Sequence, residues 1–201
     1  MDITGSYVGQ DTNAVNKNGK KDLEAKILTQ FLTENQKAPS SVIHLQKHFS
    51  KKFIPSLFYG IIQGGRALSV WRDGQPSIHK HIDDQLDLPQ TFWANAFKNT
   101  VSAQLDQMLP LIQQPHYTSW TATTNAVDVR IGTRELNGIR YLILANFDNI
   151  DKTVSIDLDG YQASQAVDFF TGNTIASISN SQFSFSIGSL NNGYKVIKLI
   201  P

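Results

Sequence analysis

The 201-residue chain contains no cysteine. This excludes disulfides, thiolate zinc sites, iron–sulfur clusters and cysteine nucleophiles, but it does not fix a compartment. Charge of one sign is also missing: 18 Lys and Arg stand against 17 Asp and Glu, a net charge of +1. A strongly basic nucleic-acid binder, drawing its affinity from counterion release, is therefore excluded, and nucleic acid is not an expected partner. No apolar run approaches the roughly 18 residues needed to cross a bilayer as a helix, so no membrane is expected either. The N-terminus, Met1-Asp2-Ile3-Thr4-Gly5-Ser6, has no basic stretch followed by an apolar one, so no leader signal is expected. Localisation stays open. What is present is 40% apolar and 10% aromatic, enough for a packed core.

The periodicity changes near Pro115. Before it, Val42, Leu45, Phe49, Phe53, Leu57 and Ile61 recur at three and four, which predicts one helix face. Ser40 or Ser41 would cap that helix, Gly64-Gly65 would stop it, and Pro55 should kink or split it. Trp93, Phe97, Val101, Leu105, Met108 and Ile112 predict a second helix over Pro89–Ile112, closed by Pro110 and Pro115. Two short apolar runs, Ala25–Leu32 and Arg66–Trp71, read as strands. Strand, helix, strand, helix is the order of parallel β/α units.

After Pro115 come short alternating runs with a turn every eight to twelve residues or so. Ala126–Ile131, Ile139–Asn146, Val154–Leu158, Ala166–Phe170, Thr174–Ile178, Phe183–Ile187 and Tyr194–Leu199 are the expected strands. Asn137-Gly138 signals a tight hairpin, and the near-continuous apolar run 139–146 predicts a central strand buried on both faces. The fold class expected is α/β followed by all-β. Residues 1–115 form a β/α segment, and 116–201 form a small antiparallel β-sandwich able to fold alone. Two β/α units cannot cover both faces of a parallel sheet, so the first part reads as the tail of a larger α/β domain.

The wording of several segments carries a resemblance. "GIIQGGRALSVWRDG" is similar to the glycine-rich entry to the eighth strand of a TIM-barrel glycoside hydrolase. "FWANAFKNTVSAQLDQMLPLI" resembles that barrel's closing helix, with Leu109-Pro110-Leu111 at its end. "GIRYLILANFDNIDKTVSIDL", "VDFFTGNTI" and "GYKVIKLI" resemble strands of the C-terminal β-sandwich that follows such barrels, and "DITGSY" resembles the end of a sixth strand. The resemblance runs from about residue 25 onward and implies a partial (β/α) barrel packed on the sandwich, with five barrel strands missing.

That resemblance implies a carbohydrate substrate and two carboxylates about 5 Å apart in a retaining enzyme. Glu34, beyond the expected strand 25–32, is a weak candidate nucleophile, and it reads first as a solvated loop carboxylate beside Asn35 and Lys37. Gln30, nearer the strand end, would be inert in that role. Trp71 could stack on a sugar face. Arg72 and Asp73 could bond its hydroxyls, though Asp-Gly is first a turn. The partner carboxylate would come from an earlier strand, so the chain is expected to be inactive alone. It would act once joined to the missing barrel portion, which could also be replaced as a partner by a second copy in a homodimer.

The alternative is a non-catalytic carbohydrate-binding or structural module with Tyr117, Trp120, Tyr141, Tyr161 and Tyr194 as contacts, although most of these should be core or edge packing instead. His44 and His48 are at i, i+4 on the predicted helix, and His79, His81 and His116 are also present. Neither set has the company of a metal site, so no metal and no cofactor is expected. No phosphate loop and no Gly-x-Ser-x-Gly elbow occurs.

Overall fold

The structure is a computed structural model and describes residues 3–8, 38–44, 53–64, 67–71, 101–115 and 119–201. Its core is two antiparallel β-sheets with two short helices, beside a parallel sheet built from the first strands. The parallel sheet is β1 (Ile3–Val8), β2 (Ala38–His44) and β3 (Ala67–Trp71), hydrogen-bonded in the order β1-β2-β3. Helix α1 (Phe53–Ile62) lies between β2 and β3 in sequence, and α2 (Ser102–Ile112) follows β3.

Two expectations are corrected here. The helix over 42–61 is half right: α1 begins only at Phe53, and Val42 sits in strand β2. The run Ser40-Ser41-Val42-Ile43 ends in two β-branched residues, which suit a strand better than helical spacing suggested. Pro55 does not kink α1. It is the third helical residue, where no intrahelical acceptor awaits its missing N–H. Helix α2 ends at Ile112 as expected, two residues beyond Pro110. Leu109 and Pro110 lie on its solvent side, and the Gln113 N–H still reaches the Leu109 carbonyl at 3.2 Å. The expected strand 25–32 and residues 89–100 of the expected second helix lie outside the described residues. The expected strand 66–71 is observed as β3.

The sandwich follows the sequence closely. Its larger sheet has the order β5-β6-β11-β8-β9: Val129–Leu136, Ile139–Asn146, Tyr194–Ile200, Gln165–Asp168 and Thr174–Ser177. The smaller sheet is β10-β7-β4: Gln182–Ile187, Lys152–Asp157 and Thr123–Thr124. The short β4 was not anticipated. The β5–β6 hairpin turns on Asn137 (φ 53°) and Gly138 (φ 76°), the positive pair a two-residue type I′ turn requires. The expected strand 126–131 begins only at Val129: the Val129 N–H closes a turn on the Ala126 carbonyl at 3.1 Å, and Val127 in that turn is 81% exposed.

Strand β6 explains the layering. Leu142 and Leu144 face the smaller sheet, in a core with Ile156, Leu158, Phe183, Phe185, Ile187, Ile197 and Leu199. Tyr141, Ile143 and Ala145 face the other way, into a second core with α1 and α2. That core holds Leu57, Phe58, Ile61 and Ile62 from α1 and Met108, Leu111 and Ile112 from α2. Residues on both sides of position 115 thus share one hydrophobic cluster.

Two glycines permit the close approach of α1. A Cβ on Gly132 would sit 2.8 Å from Ile62 Cγ2, and one on Gly193 would sit 3.0 Å from Pro55 Cγ and 2.7 Å from the Asn146 carbonyl. Arg134 completes the seam. It is fully buried, and its guanidinium donates to the Ile61 carbonyl, to the Ile62 carbonyl at 3.4 Å and to the Thr133 carbonyl at 2.8 Å. A cation at the last carbonyls of a helix meets both the orphan acceptors and the negative end of the dipole.

Candidate functional site

Because β1, β2 and β3 are parallel, Val8, His44 and Trp71 end at one edge of their sheet. The register pairs Val8 with Ile43 and His44 with Trp71. Ligands of parallel α/β sheets bind outside the carboxyl ends of the strands, so this edge is the candidate site.

Of the sequence candidates, Trp71 is the last residue of β3. Arg72 and Asp73 follow it directly in sequence and lie, with Gln30 and Glu34, outside the described residues. The strand hydrogen-bonded between β1 and β3 is Ala38–His44. It begins four positions after Glu34, so Glu34 precedes that strand in the chain rather than following it. No Asp or Glu occurs between Glu34 and Asp73, so β2 is not followed by a carboxylate of its own before β3. His44 is the residue that sequence reasoning misplaced. Helical spacing coupled it to His48, whereas the strand places it at the sheet edge in register with Trp71. The available signal was the β-branched pair Val42-Ile43 immediately before it.

The sandwich's polar and aromatic residues are occupied with structure. Asn146 is fully buried. Its Nδ2 donates to the carbonyls of Ile150 (3.1 Å) and Gly188 (2.8 Å), and its Oδ1 accepts the Asp148 N–H at 2.9 Å. It ties two loops to the end of β6. Burial by itself would raise the Asp168 pKa. The Lys195 ammonium at 2.7 Å and the Thr171 N–H outweigh that and hold it below the usual 3.8. Lys152 bridges Asp128 (3.0 Å) and Asp148 (2.7 Å).

The aromatics weighed for a binding face are packed instead. Trp120 is buried, and Arg140 lies 5.0 Å from its ring and 4.0 Å from that of Tyr161. Tyr194 stacks on Phe58 at 4.2 Å and donates to Gln104 Oε1 at 2.6 Å. Tyr141 is buried edge-on to Phe169. Tyr117 lies outside the described residues.

An open groove of about 490 Å³ crosses the outer face of the smaller sheet, lined by Thr123, Asn125, Ser155, Asp157, Gln182 and Ser184 among others. Its groups largely satisfy one another. Ser155 Oγ and Ser184 Oγ are 2.8 Å apart, Gln182 Nε2 donates to Asp157 Oδ2 at 2.8 Å, and Asn125 Oδ1 accepts the Ser155 N–H at 3.0 Å. The Asp159 N–H and the Gln182 amide lower the Asp157 pKa. Among the described residues no His, Asp and Glu cluster could hold a metal ion, and no helix is long and apolar enough to cross a membrane.

Comparison with known proteins bears on the fold. No protein-family model and no curated protein matches the chain. Solved structures do. One is AmyP in complex with maltose, at TM-score 0.58 and 13% identity, covering 88% of this chain and 44% of that one. A noncanonic maltogenic α-amylase, AmyB from Thermotoga neapolitana, aligns at TM-score 0.52 and 13% identity, over 100% of this chain and 51% of that one. A GH30 endoxylanase from Clostridium papyrosolvens C71 aligns at TM-score 0.50 and 11% identity, over 100% and 49%. The chain is therefore similar in fold to parts of glycoside-hydrolase chains, and it spans about half their length.

Proposed function

We propose that the chain is the C-terminal portion of a carbohydrate-active glycoside hydrolase. It would comprise the last β/α strands of a TIM barrel (residues 1–115) and the β-sandwich that follows (116–201). The carrying observation is a run of three parallel strands in sequential order, continued by helices that pack on an antiparallel sandwich. Sequential order is how strands follow one another around a β/α barrel, whereas a doubly wound sheet reverses its order at a switch point. The fold likeness to glycoside-hydrolase chains of about twice this length supports the same reading.

On this reading the active site belongs to the completed barrel. Trp71 would present an indole face to the C–H side of a pyranose, and Arg72 and Asp73 would bond its hydroxyls. Glu34 is retained as the candidate carboxylate of this portion and Gln30 as its neighbour. The second carboxylate that glycoside hydrolysis needs would come from the missing barrel portion. The chain alone would bind, but not cleave, a glycosidic bond.

The reading frame preceding the Met1 codon tests this first. Five further β/α units encoded in frame are the expected result, and a protein carrying them should hydrolyse members of a nitrophenyl glycoside panel that the 201-residue chain leaves intact. An upstream frame without such units refutes the proposal. Turnover by the 201-residue chain, abolished in Glu34→Gln, would show that the site is complete in this portion and refute the fragment reading.

A further inference from the structure

We propose that β10 is a docking edge for a second copy of this chain, the two strands pairing antiparallel about a two-fold axis. This edge is away from the proposed barrel portion, because the smaller sheet and the helices α1 and α2 cover opposite faces of β6. β10 is an end strand of the smaller sheet. Its sequence, Gln182-Phe183-Ser184-Phe185-Ser186-Ile187, has no charge, no proline and no glycine. The sandwich's other edges are blunted in ways that discourage strand addition. β4 has two residues, β9 has four and a register shift, and β5 carries Arg130 and Glu135.

Backbone direction identifies the open groups. The Ser181 carbonyl accepts the Leu158 N–H at 2.9 Å, so the odd-numbered residues of β10 aim their backbone groups at β7. Gln182 aims the other way, its N–H and carbonyl bonding Ser179 at 2.9 and 3.0 Å. Ser184 and Ser186 share the Gln182 direction, and their outward N–H and carbonyl groups have no backbone partner among the described residues. Ser184 Oγ lies 2.8 Å from Ser155 Oγ, the close approach of a pair that exchanges no backbone bonds. Register is fixed from both ends: Gln182 is occupied by Ser179, and the Gly188 carbonyl by Asn146 Nδ2 at 2.8 Å. Self-pairing therefore sets Ser184 against Ser186 of the second copy and Ser186 against its Ser184, with the two Phe185 residues at the axis. Every open group of both serines is then used. Phe183, Phe185 and Ile187 stay on the inner face, and no like charges are opposed. A second copy is the occupant because this uncharged edge, presented twice, satisfies itself. Both edges are consumed, so assembly closes at a dimer.

The experiment is sedimentation of the full chain from about 10 μM to about 1 mM, with amide exchange followed by NMR over the same range. A contact this small is expected to dissociate at roughly 0.1–1 mM. Dimer should grow with concentration. The Ser184 and Ser186 amides should pass from fast exchange to protection, while those of Phe183 and Phe185 stay protected throughout. Ser186→Pro, which removes an outward N–H and no bond to β7, should weaken association about tenfold or more. The double variant Ser184→Lys, Ser186→Lys keeps every backbone group but opposes like charges, and should weaken it too. Val127→Ser and Ile150→Ser, at exposed apolar residues elsewhere, should dimerise as the unmutated chain does. A monomer at every concentration, with fast Ser184 and Ser186 amides, overturns the self-pairing and leaves the edge to a foreign strand or to solvent. A dimer in which those two amides stay fast, or one that neither edge variant weakens, forms elsewhere and overturns it as well. Growth beyond a dimer refutes the two-fold register.

Discussion

Replacing Arg134 by methionine tests the seam between α1 and the sandwich. The perturbation keeps the length and most of the volume of the side chain while removing every donor. In the native protein the guanidinium serves the carbonyls of Ile61 and Ile62 at the end of α1 and that of Thr133 on its own strand. The Ile61 carbonyl also accepts the Gly64 N–H at 3.0 Å, so it retains a partner. A buried acceptor losing its donor costs about 1–3 kcal/mol. The favourable placement of a cation at a helix C-terminus adds about 0.3–1 kcal/mol. The expected loss is therefore about 2–4 kcal/mol, against a total stability of about 5–15 kcal/mol for a domain. In a chain of this length that is a fall in Tm of roughly 5–15 °C. Urea denaturation gives the free energy, and hydrogen exchange locates it. The amides of α1 should lose protection while those of β6 keep theirs relative to the global value. Arg134→Lys should fall between, since an ammonium keeps the charge but not the planar fork. A loss below about 1 kcal/mol with α1 protection unchanged would refute the claim that Arg134 holds the helix end.

Gly132→Ala should cost about 1–3 kcal/mol, because its Cβ would lie 2.8 Å from Ile62 Cγ2. Adding Ile62→Ala should then cost less than it does in the native background, as a denaturation double-mutant cycle would reveal. Asn146→Ala, which leaves the Ile150 and Gly188 carbonyls and the Asp148 N–H without their partner, should cost about 2–4 kcal/mol in the same assay. Asp168 has its pKa depressed, so its stabilisation is present above the unfolded value near 3.8 and is lost as pH falls through the folded value. Lys195→Met should raise that pKa, seen by carboxyl-carbon NMR titration, and shift the onset of acid unfolding upward. Residues 116–201 expressed alone should bind a hydrophobic dye more strongly than the full chain, since Tyr141, Ile143, Ala145 and Val196 would lose the helices that cover them. Equal dye binding would mean that the helices contribute little to that core.

The sandwich was legible in the sequence because its signals are local. Asn137-Gly138 dictates its hairpin through positive φ, and alternation in Phe183, Phe185 and Ile187 assigns their face whatever the partner sheet. The continuous run 139–146 announced a strand with both faces covered, without naming what covers them. Tertiary structure alone decided that one cover is the smaller sheet and the other the pair α1 and α2, since a two-sided strand carries no mark of its partners. It also decided the conformation of Val42 and His44. Helical spacing and strand propensity competed over that short stretch, and hydrogen bonds to β1 and β3, which lie more than twenty residues away on either side, went to the strand. The candidate edge was hidden for the same reason. Trp71 was visible as a strand end, but its pairing with His44 exists only once three parallel strands lie in register. Gly132, Gly193 and Arg134 were silent too, because close approach and the capping of another element's carbonyls are properties of two segments and are written in neither.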